Sequence, residues 1–370
     1  MNNIKKIEYL KKSYEIYLNW KDYAKGKEVS YYCWYNHSIS NRAVTFVYFY
    51  TLAKDYINID EKELHELLVK HAEYLNSKYV NNNHGIMMDR SLIILSSFLN
   101  HEKSSRWRNK AIFRIKDAFY RDFSYKGIHL ENSPEYHNIV RQLYSSTSNI
   151  LEVNNGSLGD NIKSKLKMTS QYLKYVVKPD GTLPIIGDTE LKSLKVNKRF
   201  DSMYDEEAGI VIMQTKNENE PNKSTWISFI CGYGSQTHKH FDDLSFSLQF
   251  NGKDFFIDSG KYNYNENDKI RKYIKSPLAH NTITAKDKYY ELDDPIAQVE
   301  TKIVGYYDNN LFQYVKGRNY AYKNIKLTRT LIYFKPNTIL LYDCMWSNEE
   351  QTLIQNFNLD PNVKILEKKS

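Results

Sequence analysis

The hydrophobic pattern of this chain changes period once. Up to about residue 180, apolar side chains recur at three- and four-residue steps, the spacing of one face of an α-helix. The segment 62–79 shows it clearly, with Leu64, Leu67, Leu68, His71 and Leu75 on one stripe. Similar stripes run through 43–57, 90–99, 106–123, 135–146 and 161–177, and predict about seven short-linked helices. The run Lys178-Pro179-Asp180-Gly181-Thr182-Leu183-Pro184 is a turn cluster that closes this region. Beyond about residue 205 the period falls to two. Leu244, Phe246, Leu248 and Phe250 alternate with Ser245, Ser247 and Gln249, and Asn251-Gly252 then supplies a hairpin turn. Further strand-like runs are 209–215, 225–231, 281–285, 298–304, 311–315, 325–334, 338–343 and 352–357. Closely spaced strands without intervening helices predict an antiparallel β-sandwich. The fold class expected is therefore α+β and multidomain, with a helical domain over 1–190 and a sandwich over 191–370.

Length and composition narrow this picture. A chain of 370 residues suits two domains. No apolar run approaches the ~20 residues of a membrane span, so no membrane partner is expected. The opening MNNIKKIEYLKKSYEIYLNW has no apolar centre, so no signal peptide is read. The expected location is cytoplasmic, or periplasmic or secreted if the N-terminus is incomplete. Cys33, Cys231 and Cys344 stand too far apart for a disulfide framework or a thiolate metal cluster. The composition is unusual in its 32 Tyr against 14 Gly, and in a net charge of 52 − 44 = +8. A basic, aromatic-rich protein suits a polyanion: nucleic acid, anionic lipid or an acidic polysaccharide. No nucleic-acid recognition motif is present.

Among the ten histidines, His71 sits on the inner face of a helical stripe and reads as a satisfied core residue. Five stand in polar, turn-rich contexts: His84 in Asn83-His84-Gly85, His137 in ENSPEYH (131–137), His238 and His240 in HKHFDD (238–243), and His280 in SPLAHNT. On a strand, His238 and His240 would share a face, and two imidazoles beside a carboxylate can form a metal or general-base cluster. Plainer readings exist. Asn83-His84-Gly85 can be a helix-entry turn with Asn capping. Tyr136-His137 can be a helix start, with Ser133 as cap, Pro134 at the first position and the side chains facing solvent.

Taken together, these stretches resemble the heparinase II/III family of polysaccharide lyases. The carriers are the His-x-His-x-Asp stretch running into an LSF strand, the Asp-x-Gly-x-Tyr-x-Tyr turn at 258–264, the Arg271-Lys272-Tyr273 pair and the Ala-His-Asn-Thr block at 279–282. NNHG at 82–85, ENSPEYH and PDGTLPIIGDTE (179–190) resemble family segments in the same order. The resemblance covers about residues 30 to 360. It implies an (α/α) toroid of helical hairpins, here incomplete, followed by the sandwich. It also implies β-elimination on a uronate-containing polysaccharide. That chemistry needs donors that neutralise the uronate carboxylate, a base for the C5 proton and an acid for the O4 leaving group. The resemblance assigns Asn83 and His84 to the carboxylate, Tyr136 to acid/base work and His238 to a second base used for one C5 epimer. His137, Tyr262 and Arg271 are expected substrate contacts, and positive charge from Arg271 or His137 is expected to lower the Tyr136 pKa.

The same resemblance makes His240, Asp258 and His280 ligands of a structural divalent metal, zinc by donor type, with no organic cofactor. A two-residue Asn251-Gly252 hairpin sets a difficulty, because it pairs His240 with Asn263 and leaves Asp258 five residues away, roughly 16 Å along the strands at ~3.3 Å per residue. Either 238–242 leaves the strand, or the turn is longer, or the metal is absent. The chain is also short for the family, and Asp-Ser-Gly stands at 258–260 where Asp-Pro-Gly is usual. The alternative expectation is a catalytically degenerate glycan-binding protein of a capsule or exopolysaccharide locus.

Overall fold

The computed structural model describes residues 3–366. Seven α-helices come first: α1 (Asn3–Ala24), α2 (Asn36–Ala53), α3 (Glu61–Ser77), α4 (Asn83–Phe98), α5 (Ser104–Asp122), α6 (Pro134–Val153) and α7 (Asp160–Val176). Each helical stripe of the sequence has its helix, and α1 is an addition whose inner face is carried by Leu10 and Tyr17. The chain forms two compact units. One holds the residues up to Arg121 together with Gln142–Lys163, and the other holds Asp122–Arg141 with everything from Ser164. The helical residues 164–176 therefore group with the strands, although the change of period lies further along the chain.

In the first unit, α3 shows how sequence becomes packing. The Asp60 carboxylate accepts from the Glu63 N–H at 2.9 Å and caps the helix. Leu64, Leu68, His71, Ala72 and Leu75 are then buried along one stripe. His71 is fully enclosed: its Nδ1–H donates to the Leu67 carbonyl at 2.8 Å, and its Nε2 accepts from Arg42 Nε at 3.1 Å. The Arg42 guanidinium in turn lies 4.2 Å over the Trp20 ring. At the start of α4, Asn82 rather than Asn83 is the cap, accepting from the His84 N–H at 2.9 Å. Gly85 follows because a Cβ there would lie 1.9 Å from the Val80 carbonyl oxygen.

The second unit carries three antiparallel sheets. The first has order β1-β2-β3-β4-β5, from β1 (Met203–Asp205), β2 (Ile210–Thr215), β3 (Thr225–Ile230), β4 (Ser245–Phe250) and β5 (Lys253–Phe256). After it come α8 (Lys269–Lys275), β6 (Ile283–Ala285) and α9 (Pro295–Glu300). The second sheet, order β10-β9-β8-β7, uses β7 (Thr301–Asp308), β8 (Phe312–Asn319), β9 (Ile325–Phe334) and β10 (Thr338–Ser347). β11 (Leu353–Gln355) pairs with β6. Every strand-like run named above has a strand, while α8 and α9 interrupt a region read as all β. Each starts at an aspartate, Asp268 or Asp294, whose side chain accepts from the first-turn N–H groups.

Burial decides what the alternating pattern means. On one face of the first sheet, Val211, Ile227, Phe229 and Phe246 join Val315, Leu327, Leu331 and Tyr333 of the second sheet in one apolar cluster. On the other face, Ile212, Trp226 and Ile230 pack against Tyr172, Leu173 and Val176 of α7. Because both faces are covered, the polar alternates of β4 are buried as well, Ser245 and Gln249 at 1 % exposure each. The Gln249 Nε2 donates to Asp180 at 2.7 Å, while its Oε1 is buried without a hydrogen-bond partner. The 251–252 turn forms as its residues dictate, with φ of 51° at Asn251 and 74° at Gly252, and it pairs Phe250 with Lys253.

Burial pushes the His71 imidazole down to about 4 from its ordinary 6.5. The folded state resists a proton that the unfolded chain accepts, so this stabilisation is complete above pH 6.5 and is lost as pH falls toward 4. The pH dependence of thermal unfolding of the helical unit is expected to contain this acid slope, up to roughly 3 kcal/mol at about 1.4 kcal/mol per unit. A His71→Asn variant is expected to be less stable at neutral pH and to lack that part of the slope.

Candidate active site

The candidate chemistry of the second unit gathers where three loops meet the start of α6. Ser133 caps α6, with the Tyr136 N–H 3.3 Å from its Oγ, and Pro134 takes the first helical position. That places Tyr136 and His137 in the first turn, as the plainer reading held, but neither side chain simply faces solvent. The loop 232–243 between β3 and β4 closes over this turn, held by Asn132, whose Nδ2 donates to the carbonyls of Ser235 and Thr237 at 2.6 and 3.0 Å. Gly187 makes the close approach possible: its φ is +53°, and a Cβ would lie 2.4 Å from the Asn132 carbonyl oxygen and 2.8 Å from that of His238.

Residues 238–242 leave the strand, because β4 begins only at Ser245. His238 has φ of 59°, a loop conformation, so of the openings left by the hairpin register the first holds: the HKH pair lies in a loop and not on a strand. The two imidazoles converge all the same, on a carboxylate the sequence had not singled out. His238 Nδ1–H donates to Asp188 Oδ2 at 3.0 Å and His240 Nε2–H donates to Asp188 Oδ1 at 3.1 Å. Lys239, between them, points into the protein and is fully buried. It pairs with Asp242 and, at 3.2 Å, with Asp243, which also accepts from the Gly232 N–H and the Tyr290 hydroxyl at 2.8 Å each. The loop is thus anchored from below by a satisfied ionic network.

Tyr136 stacks on His238, ring centroids 3.6 Å apart and planes 19° from parallel. Its hydroxyl is 2.6 Å from that of Tyr264. Burial and then the Tyr264 hydrogen bond hold the Tyr136 phenol well above its ordinary pKa of 10, against a smaller pull downward from Lys261. Asp188 experiences the opposite balance. Burial pushes its carboxyl up, but hydrogen bonds from His238, His240 and Arg271 outweigh this and hold it well below the usual carboxylate range. With its Nδ1 proton committed to Asp188, a neutral His238 presents Nε2 as its basic nitrogen, 3.6 Å from Glu131 Oε2.

Two residues expected as substrate contacts, His137 and Arg271, are buried and committed to protein partners. His137 is 1 % exposed and spends both nitrogens on the main chain, Nδ1 accepting from the His129 N–H at 3.1 Å and Nε2 donating to the Thr169 carbonyl at 2.8 Å. Burial drives it down to about 3, so it also supplies no positive charge to Tyr136. Arg271 is 2 % exposed and forks onto Asp188, with Nη2 at 2.9 Å from Oδ2 and Nη1 on Oδ1. Its charge is spent on that carboxylate. Tyr262 is 55 % exposed, in the coil between β5 and α8.

The hairpin difficulty is resolved by the same loop. β5 ends at Phe256, so Asp258 also lies outside the ladder, and ligand atoms of His240, Asp258 and His280 come within 4.8 Å of one another. His280 Nδ1–H donates to Asp258 Oδ2 at 2.9 Å. What remains are His240 Nδ1 and His280 Nε2, both buried and without a hydrogen-bond partner. Two orphaned imidazole lone pairs beside a carboxylate, each ring fixed by a carboxylate on its other nitrogen, fit a divalent cation of the zinc type.

Asn83 and His84 belong to the first unit. Both are half-buried at the start of α4, with His84 Nδ1 3.4 Å from the Tyr35 hydroxyl and its ring 5.3 Å from that of His37. The sequence reading missed Asp188, Glu131 and Tyr264. Asp188 could have been noticed as a lone carboxylate after a turn glycine in the otherwise apolar PIIGD, and Tyr264 as the second tyrosine of the Tyr-x-Tyr turn.

Comparison with known proteins bears on these geometries. The profile described as heparinase II/III N-terminus matches residues 3–210, and that described as heparinase II/III-like, C-terminal, matches 199–370. The chain belongs to the heparinase II/III family. Among curated relatives it is 22 % identical to a heparin-sulfate lyase of Bacteroides stercoris, over 95 % of this chain and 59 % of that protein. It is 20 % identical to a heparin-sulfate lyase of Bacteroides thetaiotaomicron, over 95 % of this chain and 58 % of the relative. The chain thus spans about three-fifths of the length of these relatives. Among solved structures, heparinase III superposes with a TM-score of 0.81 at 18 % identity, covering 95 % of this chain and 62 % of the other. A mutant of the heparan sulfate lyase of Pedobacter heparinus gives 0.74 at 16 %, covering 95 % and 61 %. The family's helical N-terminal region followed by antiparallel sheets is the fold described above.

The buried Lys239 network yields a prediction. Lys239→Met leaves Asp242 and Asp243 without their counter-charge and is expected to cost about 3–5 kcal/mol of stability, read as a lowered melting temperature or denaturant midpoint.

Proposed function

We propose that this family member is a polysaccharide lyase that cleaves an acidic, uronate-containing glycosaminoglycan by β-elimination. The observation that carries the reading is the Tyr136–His238 stack, one ring able to give a proton and the other able to take one. The relatives' printed names, heparin-sulfate lyase and heparan sulfate lyase, suggest the substrate class. We also read the helices as the incomplete (α/α) toroid and the two larger sheets as the β-sandwich expected for the family.

In this proposal His238 Nε2 removes the C5 proton of the uronate. The electron pair forms the C4–C5 double bond, the C4–O4 bond breaks, and the Tyr136 hydroxyl protonates the departing oxygen. The raised Tyr136 pKa suits an acid, since the phenol keeps its proton until the leaving group needs it. For the other C5 epimer Tyr136 serves as both base and acid, a role that requires the bound substrate or Lys261 to offset the upward shift. The C5 proton is too weakly acidic to remove until donors neutralise the uronate carboxylate, a role that the family resemblance gives to Asn83 and His84 of the first unit. Tyr262 contributes an exposed ring for stacking against a sugar. His240, Asp258 and His280 would hold the metal. When bound, the ion supplies a cross-link between the loop 232–243, the end of β5 and the segment before β6.

The test is ultraviolet absorbance of the unsaturated product over a panel of heparan sulfate, heparin and other uronate-containing glycans. Tyr136→Phe is expected to lower kcat by roughly 10²–10⁴-fold on both C5 epimers, and His238→Ala by a similar factor on the one epimer it serves. Binding of these glycans without any absorbance, or a Tyr136→Phe variant with wild-type turnover, would overturn the proposal in favour of a glycan-binding protein.

A further inference from the structure

Asp188 receives N–H donors from three residues on two segments of the second unit, the loop 232–243 and α8, and each of its oxygens serves a different histidine. Oδ2 takes His238 Nδ1 at 3.0 Å and Oδ1 takes His240 Nε2 at 3.1 Å, while the two guanidinium nitrogens of Arg271 bind one oxygen each. The carboxylate is 1 % exposed, so no water competes for it. We infer that Asp188 is a positioning residue that couples the acid/base histidine to the metal-ligating histidine, with Arg271 as its rigid brace. The inference rests on the roles given to His238 and His240 above.

The coupling acts through the histidine tautomers. A neutral imidazole has one N–H and one lone pair, and the acceptor on one nitrogen decides which is which. Asp188 holds the proton of His238 on Nδ1 and that of His240 on Nε2. One carboxylate therefore sets opposite tautomers on two rings two residues apart. His238 is left with Nε2 as its lone pair, on the ring edge nearest Glu131, and His240 with Nδ1 in the buried gap facing His280. Exchange of either tautomer would put a proton where a lone pair is needed. Arg271 matters because a carboxylate with two neutral donors can rotate about its side-chain bonds, whereas a forked guanidinium fixes its plane. Gly187, admitted by its positive φ to close contact with the Asn132 and His238 carbonyls, sets the main chain from which Asp188 projects.

A purely structural Asp188 would affect folding and nothing else. The distinguishing experiment uses Asp188→Asn, which keeps the shape but accepts through only one atom. In the folded variant, zinc affinity measured by competition with a chromophoric chelator is expected to fall about 10–100-fold. With zinc saturating, kcat on heparan sulfate is expected to fall while KM changes little. Nitrogen-15 shifts of the histidine rings, taken on metal-free protein, are expected to show opposite tautomers at His238 and His240 in the wild type and a mixture at both in the variant. This readout needs neither turnover nor metal, so absent lyase activity would count against the function proposed above and leave this test intact. Arg271→Lys, which keeps the charge and loses the fork, is expected to move all three readouts in the same direction by less, and it serves if Asp188→Asn does not fold. Wild-type tautomers and zinc affinity in a folded variant of either kind would overturn the inference.

Discussion

The second unit depends on satisfying one buried carboxylate. Asp188, almost wholly removed from water, is kept ionised only because two imidazoles and a guanidinium surround it. An unpaired carboxylate in that position would be strongly destabilising, so the segments carrying Asp188 and these partners have to arrive together. They are the turn at 187–188, the loop 232–243 and helix α8, and their convergence seats His238 against Tyr136 and leaves His240 beside His280. The first unit has a smaller counterpart in Arg42, His71 and Trp20, where a buried imidazole is neutral and both its nitrogens are used.

The geometry also divides residues that a motif places side by side. In HKHFDD, the two histidines serve Asp188 while Lys239, Asp242 and Asp243 form a buried ionic network inside the loop, completed by the Gly232 N–H and the Tyr290 hydroxyl. In ENSPEYH, Tyr136 faces His238 while His137 is spent on main-chain groups of the scaffold. Position in a motif thus does not determine role; burial and the number of uncommitted nitrogens do.

Most of the architecture was legible in the sequence because it follows from period and punctuation. The stripe of Leu64, Leu68 and Leu75 and the alternation at 244–250 each reappear as one element. So does the Asn251-Gly252 turn. The short helices α8 and α9 were not legible, since six or seven residues give too little repetition to register. That Ser245 and Gln249 are buried was hidden as well, because alternation cannot say whether a helix covers the second face. At the site, the histidines in turns stood out, and the order of motifs around them carried the family resemblance that named Tyr136, His238 and the His240–Asp258–His280 group. Asp188 and Tyr264 could not, since their importance comes from contacts between segments far apart in sequence. Arg271 was noticed for its charge, which the fold turns inward.

The central claim is that this chain breaks glycosidic linkages by elimination. Mass spectrometry of the products from a defined heparan sulfate oligosaccharide tests it most directly. Elimination predicts two fragments whose masses sum to that of the parent with no water added, the new non-reducing end carrying the C4–C5 double bond. Fragments that together contain one added water, or an oligosaccharide left intact after prolonged incubation with the zinc-loaded protein, would contradict it.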